Sequence, residues 1–195
     1  MNDPINLFGL STSLLELLSF FLALVTVAFN IRQIHWAWLF SIISSALYAW
    51  VFFAARLYGD MGLQAVFIAV SLWGWVSWRR GVAERIAVTR LALGARWLAL
   101  LSWGLAFFVL ARFLAAYTDT DVPHVDGFLT AGSLLGQVLL SRKKIENWQV
   151  WIVVDVLYVG LYIYKNLLLT AVLYAIFVIL AVVGWRSWSR VCQTV

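Results

Sequence analysis

Seven long runs of apolar residues, separated by short polar segments, constrain this chain more than any other feature. They lie at 14–30, 36–55, 61–78, 97–117, 127–141, 148–164 and 167–185. Most approach the ~20 apolar residues that a helix needs to cross a bilayer, and none alternates apolar with polar residues as a barrel strand does. Every backbone polar group in hydrocarbon must be bonded internally, so we predict an all-α integral membrane protein with seven transmembrane helices.

The composition excludes a soluble fold. Of the 195 residues, 64% are hydrophobic and 12% are charged, and the mean hydropathy is +0.92. Soluble domains average about 45–50% apolar and about 25% charged residues, and a soluble fold of this length could not hide so much apolar surface. We therefore predict a single membrane domain over residues 1–195, with the lipid bilayer as its main surroundings.

The basic residues predict how the helices are oriented. Eleven of the fourteen Lys and Arg residues fall at alternate ends of the spans, and Arg56, Arg112 and Lys165 fall at the other ends. Basic loops stay cytoplasmic, so the amino terminus is predicted outside and the carboxyl terminus inside a bacterial inner membrane. This pattern also explains the net charge of +5 without a nucleic-acid partner. No basic stretch precedes the first apolar run, so we expect it to remain as a span.

The second half of the chain repeats the first in one constant register, without a gap. In this register Arg32 aligns with Arg142, Trp38 with Trp148, and the motif GWVSW with GWRSW. We predict two three-helix units, 14–80 and 124–190, joined by a linker helix at 97–117. One linking span makes both units enter the membrane in the same direction, as parallel repeats in a 3+1+3 arrangement. The alternative is that both halves are merely tryptophan-rich membrane helices.

The sixth run carries an acidic side chain in the middle of an apolar stretch. Trp151, Asp155, Tyr158 and Tyr162 are spaced i, i+4, i+7 and i+11, so they share one helical face. A carboxyl at the bilayer centre costs at least ~2.5 kcal/mol on insertion scales, so such a residue faces the bundle interior or a wet cavity. This face suits a flat, cationic or polar heterocycle. The alternative is a structural hydrogen bond from Asp155 to a neighbouring helix.

Three other runs offer polar or aromatic faces that could complete a site. On the fifth run these are Thr130, Ser133 and Gln137; on the seventh, Tyr174, Ala181, Trp185 and Trp188; and on the second, Ser41, Ser45 and Tyr48. The residues of the second run align with Trp151, Asp155 and Tyr158, so we expect an asymmetric pocket built mostly from the second half. Trp78 and Trp188 lie at cytoplasmic span ends, and we interpret them as an interfacial tryptophan belt.

The sequence gives no positive argument for an enzyme, a metal site or a cofactor. It contains no P-loop, HExxH or GxSxG motif and no carboxylate pair at catalytic spacing. His35 and His124 have no partner at ligand spacing, and the single cysteine, Cys192, excludes an intramolecular disulfide. Glu146 is interpreted as a cap of the sixth helix.

The sequence of the second half resembles a known transporter family. The run RKKIENWQVWIVVDVLYVGLYIYKNLLLTAVLYAIFVILAVVGWRSW resembles the carboxyl-terminal half of the PnuC-type nicotinamide riboside transporters. The segments RLYGDMGLQ and DGFLTAGSLLGQVLLSRKK agree, and the resemblance covers about 16–188. It implies a 3+1+3 helix plan, usually a homotrimer, and facilitated diffusion of a vitamin precursor that is then trapped by phosphorylation.

The resemblance also implies which residues bind the substrate. Its motifs carry over to Gln137, Trp151, Asp155, Tyr174 and Trp185, in a pocket at mid-membrane. The chain departs from the nicotinamide riboside carriers at Asp155, where they have Asn. Carriers of thiamine or other vitamins share the framework and remain an alternative, as do a proton-coupled carrier in which Asp155 titrates and a non-transporting membrane enzyme or scaffold.

The charge asymmetry gives a testable topology. A reporter enzyme that is active only in the cytoplasm, fused after Val195, should be active, because the basic loops hold the carboxyl terminus inside. The matched control is a reporter that is active only in the periplasm, fused at the same residue. Activity of that second fusion would contradict the predicted orientation.

Overall fold

The computed structural model describes residues 5–7, 10–12, 14–54, 58–84, 87–118, 120–165 and 168–192. An antiparallel hairpin of β1 (Ile5–Leu7) and β2 (Leu10–Thr12) comes first. Seven helices follow in this described part: α1 (Leu14–Ile31), α2 (Ala37–Ala54), α3 (Tyr58–Glu84), α4 (Leu93–Tyr117), α5 (Pro123–Ser141), α6 (Glu146–Tyr164) and α7 (Leu168–Val191).

The seven helices predicted from the sequence are confirmed, with differences at their ends. The predicted ends of α3 and α7 came too early, at 78 and 185, since these helices continue to Glu84 and Val191. Hydropathy marks where apolar residues stop, whereas a helix continues through charged residues of good helix propensity. The predicted start of the third run at 61 came too late, because α3 begins at Tyr58. The short hairpin was not predicted.

The helices pack in two groups of similar order. In the first group α1 packs on α2 and α2 on α3, and in the second α5 packs on α6 and α6 on α7. The two groups meet where α1 lies against α7 and where α3 lies against α5. Helix α4 packs on α5.

A tryptophan packed on a glycine occurs at corresponding positions in both groups. The indole of Trp38 lies against the backbone of Gly74, where an added Cβ would be 2.6 Å from the ring, and the indole of Trp148 lies against Gly184, with 2.7 Å for the same distance. These four residues join α2 to α3 and α6 to α7. Only the missing side chain lets each ring approach so closely, so the glycine sets the spacing of its helix pair.

Two further tryptophans connect the groups. Trp78 is 3% exposed and its indole N–H donates to the carbonyl of Ser141 (3.0 Å), the last residue of α5. Trp188 is 0% exposed and donates to the carbonyl of Ile31 (3.1 Å), the last residue of α1. The two ring centroids are 6.3 Å apart. The interpretation of Trp78 and Trp188 as an interfacial belt is therefore wrong, because both rings are needed inside the bundle to bond carbonyls that helix ends leave free.

The loops after α1 and α5 also correspond and touch. Gln33 and Lys143 both adopt a left-handed backbone, with φ of 55° and 50°, as residues just past a helix end commonly do. The Lys143 ammonium donates to Gln33 Oε1 (3.3 Å) and lies 5.0 Å from the Trp78 ring. Burial lowers the pKa of Lys143 from its usual value.

The segment before α4 is tied to the start of α6. Glu146 accepts the backbone N–H of Leu91 through both carboxylate oxygens, each at 3.1 Å, and pairs with Arg96 at 3.3 Å. Its carboxylate therefore holds the linker. The predicted cap is wrong as a hydrogen bond, since α6 has no side-chain cap bond, although a negative charge at this helix start is favourable. Thr89 pairs with the loop between α5 and α6, accepting from Ile145 N (3.1 Å).

The exposed surface suits surroundings of lipid. By length and composition alone, two helices in the described part could cross a membrane, Leu93–Tyr117 and Thr170–Val191. Along α4, Leu98, Leu101 and Leu105 are each at least 68% exposed. Apolar area of this extent is unusual on a soluble monomer.

We predict that Gly74→Ala and Gly184→Ala each lower the melting temperature of the detergent-purified protein by several degrees. The added methyl would overlap a buried indole, and overpacking of this kind costs typically about 1–3 kcal/mol. Gly160→Ala in α6 is the matched control, since a Cβ there meets nothing within 4 Å. Equal melting temperatures for all three variants would contradict the proposed role of the tryptophan–glycine contacts.

Candidate functional site

The candidate site lies where α5, α6 and α7 meet, beyond the buried tryptophans. Small residues of α5 let α6 approach closely. A Cβ on Gly136 would lie 2.9 Å from the Trp151 indole, and one on Gly132 would lie 2.6 Å from Val154 and from the ring of Trp103. The position of Trp151 is therefore set by the backbone of α5.

Asp155 lies one turn after Trp151 on α6 and is 4% exposed. It is close enough to the phenols of Tyr158 and Tyr174 to interact with them electrostatically. In the described part of the chain, no hydrogen bond or ion pair to the Asp155 carboxyl is found. Its neighbours therefore include two phenol rings.

Three tyrosines form a compact cluster beside Asp155. The ring centroids of Tyr158 and Tyr174 are 4.7 Å apart, those of Tyr162 and Tyr174 are 5.0 Å apart, and Tyr158 and Tyr162 are stacked at 5.6 Å. Tyr48 of α2 interacts electrostatically with Tyr174, which places a residue of the first helix group at the same cluster. Ser133 of α5 interacts with the hydroxyl of Tyr158.

A chain of polar side chains links the two helix groups. Gln137 of α5 donates through Nε2 to Ser71 Oγ of α3 (3.3 Å), and Ser71 Oγ lies 3.0 Å from Ser41 Oγ of α2. Ser71 is completely buried and was not predicted from the sequence. The signal available was a single hydroxyl within the apolar stretch IAVSLWGW, where a polar side chain needs a partner.

The remaining predicted residues are placed differently. Thr130 and Ser45 are buried on α5 and α2, at 9% and 7% exposure. Trp185 on α7 is 38% exposed, so the structure does not bring its ring into the buried cluster. Its role in binding stays a prediction.

Aromatic rings and one carboxyl lie together on α6 and α7, and small-molecule sites commonly combine aromatic walls with a few polar groups. Among the described residues, no group of three or more His, Cys, Asp and Glu side chains could hold a metal ion.

Comparison with known proteins gives a consistent family. Residues 13–190 match the family described as nicotinamide mononucleotide transporter. The riboflavin/roseoflavin transporter RibM of Streptomyces davaonensis is 26% identical over 172 residues, covering 86% of this chain and 80% of its own length. The nicotinamide riboside transporter PnuC of Escherichia coli is 26% identical over 180 residues, covering 76% of this chain and 74% of its own length.

A solved structure is also similar. The crystal structure of the vitamin B3 transporter PnuC superposes with a TM-score of 0.72 at 26% sequence identity. The match covers 89% of this chain and 79% of that chain.

Proposed function

The chain belongs to the nicotinamide mononucleotide transporter family, as its sequence resemblance predicted, and from this premise we propose that it imports nicotinamide riboside by facilitated diffusion. It is a vitamin transporter of a bacterial membrane, and its family and relatives are transporters. The substrate, its mode of transport and the orientation in the membrane are the proposed parts.

The single observation that carries a cationic substrate is Asp155 among aromatic rings, and the choice of nicotinamide riboside among such cations rests on the similarity to PnuC. Nicotinamide riboside contains a flat, positively charged pyridinium ring. A cation is attracted both to a carboxylate and to the faces of aromatic rings, and both attractions are stronger where water is excluded. Asp155 with Tyr158 and Tyr174 offers this combination.

The neighbouring residues have supporting roles in this proposal. Trp151, held against Gly136, is an aromatic wall that stacks on the ring. Tyr162 and Tyr48 extend the aromatic lining, and Gln137 bonds a polar group of the substrate. Thr130, Ser45 and Trp185 are retained as proposed contacts from the sequence and the family resemblance.

Riboflavin is a second candidate substrate. The observation that favours it is the similarity to RibM, a riboflavin/roseoflavin transporter that matches this chain as well as PnuC does. Riboflavin is also flat, but it is neutral and does not need a carboxylate. Thiamine, a flat cation, fits Asp155 for the same reason as nicotinamide riboside.

A melting-temperature screen of the purified protein against nicotinamide riboside, riboflavin and thiamine tests the substrate. A ligand that binds the folded protein alone raises the melting temperature, and tighter binding raises it further. We expect the largest rise with nicotinamide riboside. A larger rise with riboflavin or thiamine would overturn that assignment while leaving a vitamin carrier.

Facilitated diffusion has its own test. Uptake of radiolabelled substrate into proteoliposomes should stop when inside and outside concentrations are equal, and a pH gradient should not change that endpoint. Accumulation above the outside concentration, driven by a proton gradient, would instead indicate a proton-coupled carrier, with Asp155 as the candidate for the group that titrates.

We also propose the 3+1+3 plan, with 14–80 and 124–190 as parallel three-helix repeats and α4 as the linker. Contacts that recur at aligned positions of the two halves support it, namely Trp38–Gly74 with Trp148–Gly184 and the two indole-to-carbonyl bonds. An odd linker helix then accords with an external amino terminus and a cytoplasmic carboxyl terminus.

Assembly into a homotrimer is proposed from the family resemblance. The exposed apolar side chains of α4 are compatible with either lipid or a neighbouring subunit. Native mass spectrometry of the detergent-solubilised protein should give three times the mass of 22.1 kDa.

For Asp155→Asn we predict an intact fold and nicotinamide riboside binding that is weaker by roughly ten- to a hundred-fold. The substitution removes the charge that meets the pyridinium, and a charge-assisted contact is worth typically about 1.5–3 kcal/mol. Trp151→Ala should weaken binding as well, because it removes the stacking wall. Both affinities are measured by calorimetry in detergent.

Trp97→Ala is the matched control, since it removes an exposed indole of α4, 62% accessible and far along the chain from these residues. It should keep the original affinity. Unchanged affinity in the two site variants, with melting temperatures that show folded protein, would mean that this face of α6 is structural.

A further inference from the structure

The polar side chains of Ser41, Ser71 and Gln137 form a chain of contacts that runs from α2 through α3 to α5. Ser71 is 0% exposed and stands at the centre, with Ser41 Oγ at 3.0 Å on α2 and Gln137 Nε2 at 3.3 Å on α5. Gln137 itself is 9% exposed. The chain therefore joins a residue of the substrate site to the other helix group through a completely buried hydroxyl.

The donors and acceptors in this chain decide which atom of the Gln137 amide faces Ser71. The Nε2 group of Gln137 has only hydrogens to offer, so the Ser71 oxygen must be the acceptor. The Oγ atoms of Ser71 and Ser41 are 3.0 Å apart and either can be the donor, and a proton that Ser71 gives to Ser41 is not available to Gln137 Oε1. The carbonyl oxygen Oε1 of Gln137 is left outside this chain of bonds, at the end that belongs to the site.

We propose that Ser71 is a positioning residue that holds the Gln137 amide with Oε1 toward the ligand, so that the carrier selects a ring carboxamide over the corresponding carboxylate. This inference rests on the proposed function, because it concerns which vitamin-like ligands the same site accepts. It adds a residue of α3 to the specificity of a site otherwise formed by the second helix group with Ser45 and Tyr48 of α2.

A fixed amide orientation affects only those ligand atoms that either donate or accept a hydrogen bond, and not those that can do both. An unrestrained glutamine can turn its amide and present either the oxygen or the nitrogen. A ribose hydroxyl both donates and accepts, so it bonds either end equally. A carboxamide nitrogen only donates and a carboxylate only accepts, so a fixed Oε1 favours the first and rejects the second.

Burial makes the orientation difficult to reverse. If the Gln137 amide turned while Ser71 donates to Ser41, the amide oxygen would face the lone pairs of Ser71 and the Nε2 hydrogens would lose their partner. An unpaired buried polar group carries a free-energy penalty, and the low local dielectric strengthens it. The orientation can relax only if Ser71 gains freedom to donate toward Gln137, or if its hydroxyl is removed.

The test compares two ligands that differ in a single group, nicotinamide riboside and nicotinic acid riboside. Their dissociation constants are measured by calorimetry for the wild-type chain and for Ser71→Ala, Ser41→Ala and Ser77→Ala. We expect the wild-type chain to prefer the carboxamide, and Ser71→Ala to reduce that preference about tenfold, which corresponds to about 1.4 kcal/mol.

Ser41→Ala gives an independent reading, because Ser41 is two hydrogen bonds away from the Gln137 amide. Without Ser41, the Ser71 proton is free to donate to Oε1, and the amide can turn its nitrogen toward the ligand. The preference should therefore fall as in Ser71→Ala. A purely structural role for these serines would lower the melting temperature without changing the ratio of the two affinities.

Ser77→Ala is the matched control, since Ser77 lies further along α3 and outside this chain of bonds. It should retain the wild-type ratio. Repulsion of the carboxylate by Asp155 is present in every variant and cancels when the ratios are compared.

The outcomes separate the two hypotheses. An unchanged ratio in folded Ser71→Ala overturns the inference while the proposed function stands. If Ser71→Ala does not fold, the ratio in Ser41→Ala decides in the same way. Absence of binding of both compounds to the wild-type chain overturns the proposed function itself, together with the inference that rests on it.

Discussion

Two indole N–H groups that bond to the last carbonyls of two helices hold the halves of this molecule together. A helix leaves its final carbonyls without partners, and a carbonyl buried in the protein, as at Ser141, needs a partner other than water. Trp78 satisfies the end of α5 at Ser141, and Trp188 satisfies the end of α1 at Ile31. Each bond runs from one helix group to the other, so the same interaction that completes a helix end also joins the halves.

The position of the candidate site follows from that tryptophan cluster. Trp148 contacts the Trp188 ring edge-on at 5.4 Å and lies on Gly184, which fixes both the depth and the rotation of α6 against α7. Trp151 and Asp155 follow Trp148 at helical spacing, so they continue the same stripe of the helix. A helix whose rotation is fixed at one end presents its next side chains in a defined direction, which a binding site requires.

Much of this organisation could be predicted from the sequence, and the failures have physical reasons. The apolar runs and the gapless alignment of the two halves predicted seven helices and the paired tryptophans. Position at a span end suggested that Trp78 faces the interface, but sequence position does not say whether a ring turns inward to a bare carbonyl. Ser71 was missed because a lone hydroxyl in an apolar run has no periodic pattern, and its importance depends on partners far away in the sequence.

The two helix groups share their tryptophan–glycine contacts and differ further along the helices, near the candidate site. When the two halves are aligned, Ser41 and Ser71 correspond to Trp151 and Ala181. One group has two small hydroxyls that bond each other, and the other has a large indole packed in the cluster that contains a small alanine. The second half therefore has ring volume where the first half has a hydrogen bond. The helices of both halves nevertheless pack in the same order. A protein built from matching halves can thus carry a hydrogen-bonded pair of hydroxyls in one half and a packed indole at the aligned position of the other.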